Sequence, residues 1–268
     1  MQEKRMPNLN SISISSLGLA SDGKYHIDGI ESPIYLINEN CEIVVEEGSI
    51  VSFLDTSSDS NINVLGLKNS SINYYVLNSN SGKRHFDING EINYLEIAIG
   101  NINENFCINL LNENSSAIAK VLSIADKANA KFIEVIDHKE KNTESNITNV
   151  GVSMNQSGII FDTTGKIDKG MSGSKCSQLS RGIVMDDNSF ITAKPILLID
   201  EFDCFANHGA SIGKMSDEDL FYLMSRGLSK NDAFLLILKG IIKPYIDALP
   251  LDELKDKILE KITNLIEK

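Results

Sequence analysis

Several features that would assign this chain to a familiar class are missing from it. No apolar run approaches the roughly 18–20 residues that span a bilayer. The formal net charge is −12, so the chain lacks the basic surface that phosphate binding requires, and nucleic acid is a poor candidate partner. Residues 1–7 carry charges with no apolar stretch after them, which argues against a secretory signal. We therefore expect a cytoplasmic protein that binds neither membranes nor nucleic acid.

Cysteine pairs at metal-ligand spacing are also missing. The four cysteines, Cys41, Cys107, Cys176 and Cys204, are far apart, and none belongs to a Cys-x-x-Cys pair. In a cytosolic chain of 268 residues this spacing argues against a disulfide framework and against a standard zinc site. Cys41 and Cys107 lie within apolar segments, so we predict that both are core residues.

The chain has none of the short motifs that mark common nucleotide-dependent and hydrolytic enzymes. Walker A, Gly-x-Gly-x-x-Gly, Gly-x-Ser-x-Gly and His-Glu-x-x-His are all absent from the sequence. We therefore predict that this chain binds no nucleotide. No carboxylate pair stands out for glycoside chemistry, although folding can bring together carboxylates that are distant in sequence.

What the sequence does contain is a long succession of strand-like segments between positions 11 and 213. β-Branched and aromatic residues alternate with polar ones, and Asn, Ser, Asp and Gly fill the breaks. Clear examples are residues 34–37, 41–45, 49–54, 72–77, 93–99, 107–111 and 131–136. Such a run is typical of a sandwich, a barrel or a solenoid.

The composition of the breaks favours the solenoid. Asn and Ser suit sharp turns in which side-chain amides bond to neighbouring turns. The segments follow no strict period, which argues against a regular hexapeptide repeat. We predict an all-β body folded as an irregular right-handed parallel β-helix, and the pattern leaves a sandwich open as the alternative.

The chain changes character after position 213. Ser216 and Ser229 stand where a helix N-cap is expected, each with an acidic residue three positions later. Apolar residues follow both at helical spacing, Gly227 is predicted to end the first helix, and Pro244 is predicted to kink or end the second. A last amphipathic helix is predicted from about residue 251 to 266. We predict a β-helix body over residues 1–213 and a C-terminal three-helix segment over residues 214–268.

His208 is the first candidate for chemistry. It ends the predicted strand 202–208, beside a turn that Gly209 favours. Cys204 and His208 share one face of that strand but lie about 13 Å apart at ~3.3 Å per residue. They could line one cleft, but both could not ligate a single iron without a bulge. From the residues alone, the simpler interpretation is a His208 bonded to a backbone carbonyl and a Cys204 packed in the core.

His138 and Cys176 are weaker candidates. Asp137 precedes His138, but adjacent residues on a strand point apart, so spacing alone predicts a surface histidine at a strand end. Cys176 follows Lys175 in a Gly- and Ser-rich stretch, and a neighbouring cation could favour the thiolate. The same alternation argues against that contact.

Five segments in a fixed order carry a resemblance to a known family. The strongest joins His-Gly-Ala-Ser-Ile-Gly at 208–213 to Leu-Phe-Tyr-Leu at 220–223 and Ser-Arg-Gly at 225–227. The earlier segments are Asp-His at 137–138 leading into strand 145–152, Ser-Gly-Ile-Ile-Phe-Asp-Thr-Thr-Gly-Lys-Ile at 157–167, Gln-Leu-Ser-Arg-Gly-Ile-Val-Met at 178–185 and Lys-Pro-Ile-Leu-Leu-Ile at 194–199. Over about residues 137–244, this order resembles the SufB/SufD family, whose members are scaffold subunits for iron–sulfur cluster assembly in the SUF system. The resemblance is closer to SufD, because Gly209 stands where SufB proteins tend to have Glu.

The resemblance implies a fold and a set of partners. The fold would be the right-handed parallel β-helix that the strand pattern also predicts. Two like subunits would pair near the C-terminal end of the solenoid, as a homodimer or a heterodimer, and an ABC-type ATPase, SufC, would dock on the C-terminal helices. Closure of the ATPase on ATP could strain the pair and open the interface where a cluster forms. The docking candidates are Asp219, Leu220, Phe221, Tyr222, Met224 and Arg226.

Carried over residue by residue, the resemblance makes His208 the family histidine at the subunit interface. The candidates for cluster assembly are then His208, Cys204, Cys176 and His138, with His208 and Cys204 as metal-ligand candidates for a transient cluster shared with the partner subunit. The chain departs from the family at Ala206, where a Cys is frequent, and at Leu198, where Glu is usual. The chain is also short for the family, and we expect a reduced version without the N-terminal helical region of longer members.

Two other functional classes stay open at this point. One is a β-solenoid enzyme that acts on polysaccharide or acyl groups, against which the missing secretion signal and hexapeptide period count. The other is a structural β-solenoid that assembles end to end. The predicted C-terminal helices argue against this second class, since we expect them to block one end. The interpretation that the resemblance favours is a non-catalytic scaffold subunit.

Overall fold

The computed structural model describes residues 11–30, 33–78 and 81–266, which fold as a parallel β-helix with three helices at the C-terminus. The strands are β1 (Ser11–Ser13), β2 (Tyr25–Ile27), β3 (Ile34–Ile37), β4 (Cys41–Val45), β5 (Ile50–Asp55), β6 (Ser60–Gly66), β7 (Ser71–Asn78), β8 (Ser81–Ile88), β9 (Glu91–Ile99), β10 (Ile102–Leu110), β11 (Ser116–Asp126), β12 (Asn129–His138), β13 (Glu144–Met154), β14 (Gly158–Ile167), β15 (Lys175–Val184), β16 (Phe190–Ile199) and β17 (Phe205–Gly213). The helices are α1 (Asp217–Ser225), α2 (Lys230–Asp247) and α3 (Asp252–Ile266), with a short 3-10 helix at Ile14–Leu17. The predicted fold class is confirmed, whereas residues 1–7, where a signal was considered, lie outside the described residues.

Successive strands alternate between two sheets. The odd-numbered strands form sheet A in the order β1 to β17, and the even-numbered strands form sheet B in the order β2 to β16. The ladders join each strand to the one two positions further along the chain, and they are parallel. Each coil therefore contributes one strand to each sheet. This topology excludes the sandwich alternative, whose sheets would be antiparallel.

The coils lengthen along the chain. Asn93 bonds to Asn73 in the preceding coil, 20 residues earlier, whereas Ser174 bonds to Thr143, 31 residues earlier. Longer strands and wider turns take up the difference while the register of the ladders is kept. A solenoid whose repeat drifts in this way shows no strict period in its sequence.

Two hydrophobic cores hold the molecule together. The first fills the interior between the sheets, where inward-facing residues such as Phe53, Phe86 and Phe132 are fully buried. The second lies on the outer face of sheet A, where Leu122 and other apolar residues of β9 to β15 pack against α2 and α3. These sheet A strands are buried on both faces, so their sequences read as nearly continuous apolar runs.

The helix boundaries follow the capping signals. Ser216 Oγ accepts the Asp219 N–H at 3.2 Å, and Ser229 Oγ accepts the Asp232 N–H at 3.1 Å, as predicted. Gly227, after α1, has the left-handed φ of +97° that glycine tolerates. Pro244 does not end α2, which continues to Asp247 because its apolar face stays packed on sheet A.

The helices lie along the side of the solenoid, not across its end. α2 and α3 bury the apolar outer face of sheet A, while β16 and β17 pair with no described strand on their outer edges. The expectation that the helices block one end is therefore wrong, because the larger apolar surface is at the side.

Within the described ranges, none of the three helices combines the length and apolar character needed to cross a membrane. The predicted division at residue 213 stays a prediction.

Candidate functional site

The end of the solenoid, residues 175–213 with strands β15, β16 and β17, is called the last coil; it brings Cys176 and His208 into one ladder and Cys204 next to that ladder. Cys176 on β15 lies opposite Ala206 on β17, and Gln178 lies opposite His208. Paired residues of a parallel ladder point to the same side, and Cys176 and Gln178 are buried in the interior. His208 therefore belongs to the interior row, but it is exposed because no described strand follows β17 in the sheet.

Strand β17 differs from the predicted strand 202–208. It begins at Phe205 and runs to Gly213, so His208 is in the middle of a strand and Gly209 makes no turn. Continuous pairing with β15 overrides the local preference of glycine. Gly209 instead lets the chains approach, because a Cβ there would lie 3.3 Å from Leu179 Cδ1.

Cys176 is the most enclosed thiol of the last coil. It is 1% exposed, and a Cβ at Gly165 on the neighbouring strand of sheet B would lie only 2.3 Å from its sulfur. Burial raises the pKa of Cys176, a hydrogen bond with Ser145 lowers it, and the nearby Cys204 raises it again. Lys175 points away to Glu144 at 3.7 Å, so it does not create the thiolate considered from the sequence.

Cys204 lies between a bend at residues 202–203 and the start of β17, so it is outside the strand that the sequence predicted. Its Sγ donates to the Glu201 carbonyl at 3.1 Å, and the side chain is partly buried, so it is not the packed core residue of the simpler interpretation. Burial and the carboxylates of Glu201 and Asp203 raise the pKa of Cys204. Both thiols of the last coil are therefore held in the protonated form.

His138 is fully buried, which overturns the prediction of a surface histidine. Its Nδ1 lies 2.7 Å from Thr143 Oγ1 and its Nε2 lies 2.8 Å from Ser145 Oγ. Burial lowers the pKa of His138 to about 4, so the imidazole is neutral. His138 continues the inward row of Phe132, Glu134 and Ile136 along β12, and the turn that follows brings both hydroxyls to it.

A buried chain of polar groups thus leads to Cys176. Ser145 lies opposite Cys176 in the ladder between β13 and β15, and it contacts both His138 and the thiol. Thr143 also contacts Ser174, the residue just before β15. Sequence reasoning missed this chain, and its only signal was two hydroxyl residues five and seven positions after His138.

The remaining cysteines are not part of this site. Cys41 is buried in the interior core, as predicted. Cys107 is only half-buried on the outer face of sheet B, so its assignment to the core was wrong, because Phe106 and Ile108 take the inward positions of β10. In the part of the chain that the structure describes, no three His, Cys, Asp or Glu side chains are grouped closely enough to hold a metal ion.

The docking candidates on α1 divide into two groups. Leu220 is the buried residue of the helix, so its docking role stays a prediction. Phe221, Tyr222 and Met224 are exposed, and the Arg226 guanidinium lies 5.3 Å from the centre of the Tyr222 ring. Asp219 is exposed at the start of the helix, where its N–H binds the cap.

Comparison with known proteins gives this geometry a context. The family described as SUF system FeS cluster assembly, SufBD core domain, matches residues 25–241. The iron-sulfur cluster assembly protein SufD of Bacillus subtilis (strain 168) is 32% identical over 179 residues, covering 65% of this chain and 41% of that protein. An iron-sulfur cluster assembly SufBD family protein of Staphylococcus aureus (strain MRSA252) is 26% identical over 251 residues, covering 88% of this chain and 50% of that protein.

The chain therefore spans half or less of the length of these two curated relatives. The match to the core domain nevertheless covers most of the chain, including the whole last coil and α1. The sequence resemblance is confirmed: the chain belongs to the SufBD core family of the SUF system of iron–sulfur cluster assembly, and it is closer to SufD.

Proposed function

We propose that this chain is a scaffold or accessory subunit of a SUF-type iron–sulfur cluster assembly complex. The observation that carries the proposal is the family match over residues 25–241, together with the placement of Cys176, Cys204 and His208 at the end of the solenoid where no described strand follows β17. Thiolate and imidazole are ligands that iron and iron–sulfur clusters prefer. The cluster is cargo in transit, and the subunit itself is not an enzyme and binds no nucleotide.

The protonated thiols define how such cargo would be held. Iron binds thiolate, so loading at Cys176 or Cys204 must release protons, and cargo affinity should rise with pH. The chain offers two thiols and one imidazole, which is fewer than the four ligands of a common cluster. A partner subunit supplies the remaining ligands in this proposal, and the cluster is shared across the interface.

The unpaired edges of β16 and β17 support a partner at this end. An exposed strand edge is a template for pairing with another chain. Phe190, Leu198 and Phe205 are large apolar residues on these strands, and each is at least half exposed. We infer that a second SufB/SufD-like subunit, identical or different, covers these edges together with His208.

Helix α1 supports the docking of a SufC-type ABC ATPase. Its exposed Phe221, Tyr222, Met224 and Arg226 are of the residue types that dominate protein interfaces. Only residues 214–216 separate α1 from β17. A movement of α1 driven by the ATPase would therefore reach the strand that carries His208, which gives the nucleotide cycle a way to open the interface.

Anaerobic reconstitution with ferrous iron and sulfide tests the proposal. The chain is loaded alone and with the cognate ATPase, and cluster formation is followed by visible absorption and EPR. Cys176→Ser, Cys204→Ser and His208→Ala are the test variants, and Cys107→Ser and His85→Ala on the outer face of sheet B are matched controls. Loss of the cluster in at least one test variant and in neither control supports the scaffold role.

Two other outcomes are equally informative. If no cluster forms while the ATPase still binds, this chain is the accessory subunit, and a like partner must supply the ligands. If neither a cluster nor ATPase binding is observed with folded protein, the proposed function is refuted and only the fold and family remain.

A further inference from the structure

A groove between α2 and the outer face of sheet A lies apart from the proposed cluster site. It encloses about 350 Å³ and is lined on the sheet side by Lys120, Leu179 and Arg181, and on the helix side by Gly240 and Pro244. A smaller cavity of about 190 Å³ adjoins it, with Arg181 lining both. The groove is a place where the second core is incomplete, because α2 leaves this part of the sheet uncovered.

The charge of the groove is unusual for this molecule. The chain carries a net charge of −12, yet Asp and Glu are absent from the described lining of the larger cavity, which contains two cations. Within residues 11–30, 33–78 and 81–266, neither the exposed Arg181 nor the partly buried Lys120 has an ion-pair or side-chain hydrogen-bond partner. Two unpaired cations beside an apolar surface favour an anion.

The position of Arg181 strengthens this point. It continues the outward-facing row of Leu122 and Val150, which α2 and α3 cover as part of the second core. An arginine at the end of an apolar row contributes nothing to that core by its charge. Its planar guanidinium is suited to hold a carboxylate or phosphate group in a forked pair of hydrogen bonds.

The helix wall is kept open by two residues one turn apart. Gly240 has no side chain, and a Cβ built there would meet no other atom within 4 Å. Pro244 has no N–H, so the Gly240 carbonyl lacks the donor that a regular helix would provide. Leu179, Ile241 and Pro244 supply apolar surface to the groove. The free Gly240 carbonyl is an acceptor and does not contribute to anion binding.

We propose that this groove binds a small amphiphilic anion, with its carboxylate or phosphate headgroup held by Arg181 and Lys120 and its apolar body lying on Leu179, Ile241 and Pro244. The volume is at the small end of the range for ligand pockets, which suits a short-chain ligand better than a protein segment. Tyr245 closes the groove on its inner side, where its hydroxyl donates to the Thr148 carbonyl at 3.3 Å. An occupant would join α2 to β11 and β15, independently of any cluster.

Calorimetric titration of the full chain tests the proposal. The probes are butanoate, hexanoate and octanoate, together with octyl phosphate to separate the two headgroup chemistries, and octyltrimethylammonium as a cation with the same apolar body. Affinity for the carboxylates should rise about fourfold for each added methylene until the groove is full. The cationic probe should not bind.

Three variants locate the binding. Arg181→Gln and Lys120→Gln should each weaken octanoate binding at least tenfold. Gly240→Leu should abolish it, because the new side chain fills the groove while leucine favours the helix. Lys131→Gln removes an exposed cation from strand β12 of sheet B and should leave binding unchanged. Thermal unfolding of each variant confirms that it is folded.

The proposal is overturned if octanoate and octyl phosphate fail to bind folded wild-type protein at millimolar concentration. It is also overturned if the groove binds an acidic protein segment and neither of these probes. It is also overturned if Gly240→Leu binds octanoate as tightly as the wild type. Equal binding of the cationic probe would reveal non-specific apolar adsorption and would count against the site in the same way.

Discussion

The first and the last coils of the solenoid fill the same space between the two sheets with different side chains. In the first coils the interior holds a continuous stack of rings whose centres are 4.6–6.0 Å apart. The rings are Tyr35, Phe53, Tyr74, Phe86, Tyr94 and Phe106. In the later coils the rings are fewer, with Phe132 stacked on Phe161, and the interior rows also hold Gly165, Cys176 and Gln178. The interior of the early coils is thus filled largely by aromatic rings, whereas the last coils have smaller and more polar interior side chains and end at β17, which no described strand follows.

The two regions also differ in how their buried polar groups are satisfied. In the early coils the fully buried Arg84 binds Asp55 at 2.7 Å and also binds Glu104, and Tyr74 donates to Asp55 at 2.7 Å. In the later coils the buried groups around His138 are neutral hydroxyls and a thiol. Each buried charge depends on its partner, because loss of one partner leaves the other unpaired, whereas the neutral groups around His138 carry no such charge. This difference suggests a structural role for the first region and a chemical role for the second.

The largest expected effect comes from breaking the charged network. Arg84→Met removes the cation that Asp55 and Glu104 share and should lower the free energy of unfolding by about 3–5 kcal/mol, because carboxylates stay buried without it. Urea denaturation followed by circular dichroism measures the loss. Lys83→Met, at the exposed neighbouring position on β8, is the matched control and should change stability by less than about 0.5 kcal/mol.

The same variant sharpens the functional side of the comparison. If the early coils are structural, folded Arg84→Met protein at low temperature should still form or support a cluster as the wild type does. If Arg84→Met loses no more stability than Lys83→Met, the charged network does not stabilise the fold. A loss of cluster assembly in folded protein would show that the early coils take part in the chemistry.

A smaller effect is expected from crowding the last coil. Gly165→Ala places a Cβ 2.3 Å from the Cys176 sulfur and 2.9 Å from Gln178 Nε2, so it should destabilise the protein by about 1–3 kcal/mol. Adding Cys176→Ala to this variant should recover most of the loss, because it removes the atom that the new methyl group meets. A double-mutant cycle measured by urea denaturation gives the coupling.

Gly213→Ala is the control for this cycle, since a Cβ there would meet nothing within 4 Å. It should be close to neutral. Additive effects of Gly165→Ala and Cys176→Ala would mean that the glycine does not serve to make room for the thiol. The close approach of Gly165 to the Cys176 sulfur would then contribute no coupling to stability.

The fold could be predicted from the sequence because its local signals agree with one another. Alternation, Asn- and Ser-rich breaks and the change to helical spacing after position 213 all predict a solenoid with C-terminal helices, and the structure confirms this. The caps at Ser216 and Ser229 were predictable for the same reason, since an N-cap is a local interaction. The placement of the helices could not be predicted in the same way. Their packing on the side of sheet A depends on apolar rows to which many coils contribute.

The site was predictable only in part, and the failures share one cause. His138 and Cys107 were misplaced because the inward or outward direction of a strand residue depends on register, which turn geometry decides. The predicted strand 202–208 ended too early, because pairing with β15 continues β17 through Gly209 to Gly213. Gly165 was not recognised, since its role depends on a sulfur atom in the other sheet. These are contacts between coils, and a single sequence does not show them.

The effect that nearly vanishes in the wild type is the pH dependence of two buried groups, because their contributions have opposite signs. Burial lowers the pKa of His138 from an ordinary 6.5 to about 4, and burial raises the pKa of Glu134 from an ordinary 4.5 to about 7. The unfolded chain therefore binds the His138 proton between pH 6.5 and 4 when the folded chain does not. Stability from His138 is full above pH 6.5 and is lost as the pH falls to 4.

Glu134 contributes with the opposite sign. Its carboxyl, which is bonded to Asn149 and Thr163, keeps its proton in the folded chain up to about pH 7, whereas the unfolded chain loses that proton near 4.5. Stability from Glu134 is full below pH 4.5 and is lost as the pH rises to 7. Between pH 4.5 and 6.5 the two contributions nearly cancel, each having a slope of at most about 1.4 kcal/mol per pH unit.

Single substitutions separate the two contributions. In His138→Gln the free energy of unfolding should fall as the pH rises from 4.5 to 6.5, relative to the wild type, because only the Glu134 contribution remains. In Glu134→Gln it should rise over the same window, because only the His138 contribution remains. Urea denaturation at half-unit pH steps measures both slopes, with His208→Gln as a control for an exposed imidazole. Parallel curves for all four proteins would mean that neither group is held in its buried, uncharged form, and the neutral interior inferred for the later coils would have to be abandoned.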